Sequence, residues 1–131
     1  MKKDIEIPPV QGVFLAAVLE ENKEFRSLDW NVYLINTKDL PLEMVLVVSR
    51  GFDKKDSTAS MRHSVKVLPA RSYAKIEFLQ DDILRLTNEF LVTFFEGNKM
   101  YEKKYTFREN TINNANLTSI PVMDQQGILA E

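Results

Sequence analysis

The sequence predicts an all-β protein, two antiparallel sheets of about seven strands packed as an immunoglobulin-like sandwich, with a small β-barrel as the alternative. Three observations carry this expectation. Seven short runs are rich in Val, Ile, Leu, Phe, Tyr and Trp, and branched and aromatic side chains pack well on a pleated surface. Clusters of turn-forming residues separate the runs. Nothing between them reads as a long helix.

The first strand is expected over Val13–Leu19, a continuous apolar run ended by Glu20, Glu21, Asn22, Lys23 and Glu24. A helix is the alternative there, because a short apolar run carries no period of its own. Trp30–Ile35 follows, with Trp30, Val32 and Leu34 alternating against Asn31, Tyr33 and Ile35. After a polar loop ending in Pro41, Leu42–Ser49 reads as its hairpin partner. The unbroken stretch from Met44 to Val48 suggests a central strand covered on both faces. Gly51–Thr58 reads as an exposed, mobile loop.

Met61–Leu68 alternates, with Met61, His63, Val65 and Val67 on one side. Pro69, Ala70 and Arg71 turn the chain into Ala74, Ile76 and Phe78, which alternate with Lys75 and Glu77. This pair gives the cleanest period of two, so each strand is expected to keep one solvated face. From Asp81 to Leu86 the alternation breaks. A short helical turn opened by an aspartate fits, and it would carry the chain between sheets. Phe90–Phe95 is a second buried strand, and Gly97-Asn98 is a two-residue hairpin signal leading into Met100–Phe107.

The expected core is Trp30, Val32, Leu34, Leu46, Val48, Val65, Val67, Ile76, Phe78, Phe90, Val92, Phe94 and Tyr105. The expected organisation is an N-terminal extended segment over 1–11, a sandwich domain over 12–109 and an extended C-terminal tail over 110–131 that partly docks on the domain, with disorder of the tail in solution as the alternative.

Composition narrows the function. The chain has 131 residues, enough for one real core, and 44% hydrophobic with 27% charged residues is ordinary globular usage. It contains no cysteine, so disulfides, thiolate metal sites and cysteine nucleophiles are excluded. That usage and the lack of a signal-like apolar start suggest a cytoplasmic protein. No stretch has the ~20 apolar residues of a membrane helix. A net charge of −2 offers no general attraction for nucleic acid.

Little reads as catalysis. His63 is the only histidine. It has no second ligand beside it on its strand, and pairing it with Ser60, Ser64 or Ser72 has no motif behind it. The acids Asp53, Asp56, Asp81 and Asp82 lack calcium-loop spacing and read as a solvated loop and a helix cap. The glycines stand alone, so no phosphate loop exists. Cofactors are therefore expected to be none. Lys99, Lys103, Lys104 and Arg108 surround Tyr101 and Tyr105, an arrangement that suits single-stranded nucleic acid, yet Glu96, Glu102 and Glu109 are mixed in. A charged edge strand explains them as well.

The opening Asp4-Ile5-Glu6-Ile7-Pro8, the stretches Leu42–Ser49 and Asn88–Phe95, and the ending Gly127-Ile128-Leu129-Ala130-Glu131 resemble a group of small uncharacterised bacterial proteins. Some carry the label of phenylalanyl-tRNA synthetase alpha subunit. The true subunit is far longer and has catalytic motifs that this chain lacks, so the resemblance implies no activity. Trp30–Asn36, ending in Tyr33-Leu34-Ile35-Asn36, is similar to the β domain that precedes the nuclease-like module of some small-MutS-related proteins. Nothing here resembles that module itself.

The expectation is a non-catalytic protein-binding or scaffolding module. A nucleic-acid-associated accessory protein and a small enzyme of unrecognised type are the alternatives. Tyr101, Lys103, Lys104, Ile120, Val122 and Met123 are the candidate partner-binding residues. A protein partner is expected and a membrane is not, with homo-oligomerisation left open.

Overall fold

A computed structural model describes residues 9–131. Most of the N-terminal segment expected over 1–11 lies outside the described residues. Nine strands run in chain order: β1 (Val13–Asn22), β2 (Ser27–Asn36), β3 (Leu42–Phe52), β4 (Met61–Leu68), β5 (Ser72–Leu79), β6 (Thr87–Glu96), β7 (Lys99–Phe107), β8 (Thr118–Ile120) and β9 (Gln125–Leu129). They form one sheet in the order β5-β2-β1-β9-β8 and a second in the order β4-β3-β6-β7. All pairs are antiparallel. The first seven strands have an immunoglobulin-like arrangement, and the sheets do not close into a barrel.

β1 is a strand throughout because both its faces are covered. Val13, Leu15 and Ala17 point into the space between the sheets, while Ala16 and Val18 are buried on the outer face. That double burial explains the unbroken apolar run. β1 and β2 form a hairpin, as do β6 and β7. The second closes through Gly97-Asn98, with positive φ at Gly97 alone, the pattern of a II′ turn.

One pairing differs from the sequence expectation. β2 and β3 are not a hairpin but lie in different sheets, and the turn after β4 likewise carries the chain across to β5 in the other sheet. Asn36 shows why. It is fully buried at the end of β2. Its Nδ2 donates to the Leu40 carbonyl at 2.9 Å and to the Pro69 carbonyl at 3.0 Å, while its Oδ1 accepts from the Lys38 backbone N–H at 3.0 Å. One amide thus holds both connections as crossings rather than turns within a sheet. The crossing from β5 to β6 passes through a 3₁₀ turn at Asp81–Ile83, without the side-chain cap expected of an aspartate. The Gly51–Thr58 region is tied down: Gly51 and Thr58 bond across its neck, and Arg85 reaches Asp53 at 2.8 Å.

Two β-bulges reset the core. Against β6, the β3 register slips between Glu43 and Leu46, where Met44 has a φ of 51°. The extra residue reverses the phase of everything after it. Val45, Val47 and Ser49 therefore point inward, whereas Leu46 and Val48, expected in the core, lie half-buried on the outer face. Against β2, the β5 register slips around Ile76. Glu77 turns inward and Phe78, also expected inside, turns outward. Val65 keeps its place against the core, but Val67 pairs with the exposed Glu43 and is itself exposed. Trp30, Val32, Leu34, Ile76, Phe90, Val92, Phe94 and Tyr105 are buried as expected. Each such side chain contributes roughly 1.5–3 kcal/mol through removal from water.

The segment expected as an extended tail docks by pairing. β9 adds to β1, and the chain continues so that Ala130 N–H reaches the Leu15 carbonyl at 2.9 Å. Two backbone bonds of 2.9 and 3.0 Å then join Glu131 to Thr106 on β7. Gly127 makes this possible, since any Cβ there would collide with the Ala17 carbonyl oxygen. Ile120 and Met123 cover Ala16, Val18 and Ile35 as a small second core.

Candidate binding groove

The side of the sandwich opposite β9 stays open. No ladder joins β4 to β5, so each presents one unpaired edge. Where the two strands diverge, a groove of about 680 Å³ lies between them, bounded by the end of β3, the Asp81–Ile83 turn and the start of β6. Its walls include Met61, Ile76, Phe78 and Ile83. Asn88 fixes the far wall, with its Nδ2 donating to the carbonyls of Ile83 and Leu86 at 3.0 and 3.1 Å.

The polar heart of the groove is Glu77, only 8% exposed. Its Oε1 accepts from Ser49 Oγ at 2.6 Å and meets His63 Nε2 at 3.2 Å. Both bulges are needed for this cluster: one brings Ser49 to the inner face of β3, the other brings Glu77 to the inner face of β5. A carboxylate withdrawn from water is costly unless hydrogen-bonded, and these two neighbours supply the bonds. Among the described residues no Lys or Arg lies within ion-pair reach of Glu77, and its Oε2 has no hydrogen-bond partner. Among the described residues the one fully buried side-chain polar atom without a partner is Asn31 Oδ1, so the unpartnered Glu77 Oε2 keeps some exposure to solvent.

The order of contacts decides the chemistry. A serine nucleophile needs a base to take its proton and an acid behind that base to orient it. Here the acid stands in the middle, and Ser49 and His63 both spend their contact on it. The arrangement lacks the serine–histidine contact of a Ser-His-acid triad and presents an oriented carboxylate. Among the described residues no three acidic or histidine side chains converge as metal ligands.

The residues chosen from sequence do not come together. Tyr101 stacks on Phe94 with ring centroids 5.3 Å apart, and Lys38 Nζ lies over its ring. Lys103 sits on the inner side of β7 with its Nζ 4.8 Å from the Tyr105 ring centre. Lys104 is on the other side of the strand, 3.8 Å from Glu89. The two lysines therefore make no single basic patch. Ile120 and Met123 are buried, which removes them as partner contacts, while Val122 is exposed between them. Of the side chains weighed for chemistry from the sequence, His63 and Asp82 line the groove. Ser49 and Glu77 were hidden because two bulges that the sequence does not mark set the face each occupies.

Among the described residues four groups outside the groove are electrostatically shifted, Tyr105, Tyr33, Asp53 and Arg85, the last raised by its bond to Asp53. Burial raises the Tyr105 hydroxyl, which donates to the Val13 carbonyl at 2.7 Å across the sandwich. Burial, then the bond to Glu20, raises Tyr33. The backbone N–H groups of Asp56 and Lys55, then Arg85, lower Asp53.

No family model matches the chain, and no curated protein matches it. Among the described residues no helix is long and apolar enough to cross a membrane.

Proposed function

We propose that this protein is a non-catalytic binding module that takes an extended segment of a partner protein along the open side between β4 and β5. One observation carries the reading: two unpaired sheet edges flank an apolar-walled groove, with Met61, Val67, Tyr73 and Phe78 exposed along them. An extended peptide can satisfy a free edge with main-chain hydrogen bonds and place alternate side chains in the groove. Exposed apolar side chains gathered on two edge strands are otherwise an aggregation hazard. The cytoplasmic location belongs to the same proposal, since a chain without cysteine fits a reducing compartment. Kinship with the small bacterial proteins belongs to it too and adds no activity.

The test is binding of a fluorescent extended-peptide library to the protein and to Val67→Lys and Met61→Lys variants. The expected result is selection of a peptide subset whose binding both variants lose while their unfolding midpoints hold. Equal binding by wild type and variants, or no selection at all, overturns the reading.

A further inference from the structure

We infer that the Glu77 carboxylate is a specificity site for a basic side chain, the ammonium or guanidinium end of a partner lysine or arginine. This rests on the peptide-binding reading and names what the groove selects. Glu77 lines the groove and is nine-tenths buried, yet among the described residues its Oε2 has no hydrogen-bond partner and is not sealed from solvent. Its neighbours Ser49 and His63 both engage Oε1, which orients the carboxylate without supplying a permanent cation. The nearby fixed cations are engaged elsewhere: Arg50 with Glu89 at 3.5 Å, and Arg85 with Asp53 at 2.8 Å. Lys75 borders the groove but lies on the opposite face of β5, with no ion pair to Glu77. With no Lys or Arg in ion-pair reach among the described residues, a ligand that brings a permanent cation would add a charge-assisted hydrogen bond to this carboxylate. Ile76, Met61 and Ile83 offer apolar walls for the methylene stem of such a side chain.

Both bulges support a built site. Regular strands would place Phe78 inside and Glu77 outside, and would turn Ser49 away. The fold instead inserts one residue in each of two strands, and the outcome is an inward carboxylate with an inward hydroxyl bonded to it. A purely structural core would gain more from the apolar alternative.

The experiment has two arms. In the first, n-butylguanidinium is titrated into isotopically labelled full-length protein and followed by amide chemical shifts, with n-butanol as the uncharged control. The expected result is a saturable shift at Ser49, His63 and Glu77 from the cation alone, lost in Glu77→Gln. In the second, library peptides that bind are compared with copies in which each Lys or Arg is replaced by norleucine. One such replacement is expected to weaken binding roughly 30-fold or more, the usual consequence of removing one partner of a desolvated charge pair.

Peptides that bind equally well with norleucine would overturn this inference and leave the peptide-binding reading standing. A groove that takes the alkyl cation while no peptide binds would overturn the peptide-binding reading and keep the cation site. No saturable shift with wild-type protein overturns the site itself. That last measurement needs no variant, so it stands even if Glu77→Gln fails to fold.

Discussion

One long side of the sandwich is finished by the chain's own strand and the other is left unfinished. On the closed side, β9 pairs with β1, continues to bond β7 at Thr106, and is helped by the Tyr105 hydroxyl reaching Val13. On the open side, β4 and β5 lie next to one another without a ladder and hold a polar cluster between them. The contrast separates two jobs. The closed side supplies stability from sequence-distant pairing, and the open side gives up such pairing to keep a free edge beside a buried charge.

That contrast can be broken most severely at Gly127. Gly127→Val sets a side chain against the Ala17 carbonyl, which β9 cannot accommodate in place. We expect a loss of about 3 kcal/mol, measured as a lower urea midpoint. Tyr105→Phe is smaller: it leaves the Val13 carbonyl without its side-chain donor and should cost about 1 kcal/mol by the same measurement.

Acid sharpens the comparison from a third place. Asp53 is held below the usual carboxylate range, so its stabilising contacts are complete above the unfolded value and fade as pH falls through the folded one. The tip of the Gly51–Thr58 loop, which that carboxylate holds, should therefore loosen in acid below the ordinary aspartate range. Amide exchange at Lys55 and Asp56 is the readout, and faster exchange there should precede global unfolding. Smallest of all should be Val67→Lys on the open side. The side chain is 46% exposed, so stability should stay within about 0.5 kcal/mol while peptide binding disappears. A large loss of stability would mean that the open edge is structural after all.

The class of fold and all seven expected strands were legible, because period-two alternation and Gly97-Asn98 are local signals. The partners of those strands were less so. Whether β2 continues into a hairpin or crosses to the other sheet depends on buried bonds from Asn36 to residues up to 33 positions away, and no local pattern reports that. The groove was hidden for a related reason. Met44 to Val48 is apolar without interruption, so the sequence carries no phase there and the bulge at Met44 leaves no trace. On β5 the alternation of Lys75 and Glu77 against Ile76 and Phe78 is regular and points to the opposite face. Ile120 and Met123 read as contacts for a partner because their own target, the outer face of β1 and β2, is not adjacent in sequence.

The amide of Asn36 has a mechanical consequence. It clamps the vertex where β4 and β5 meet, next to Pro69, and the cleft lies at the far ends of those strands. β4 is eight residues long, or roughly 26 Å at about 3.3 Å per residue. Neither strand is a free arm, because β4 is laddered to β3 as far as Met61 and β5 to β2 as far as Leu79. Asn36 therefore closes one end of the gap between the sheets, and the rest of its width follows from how the two sheets face each other.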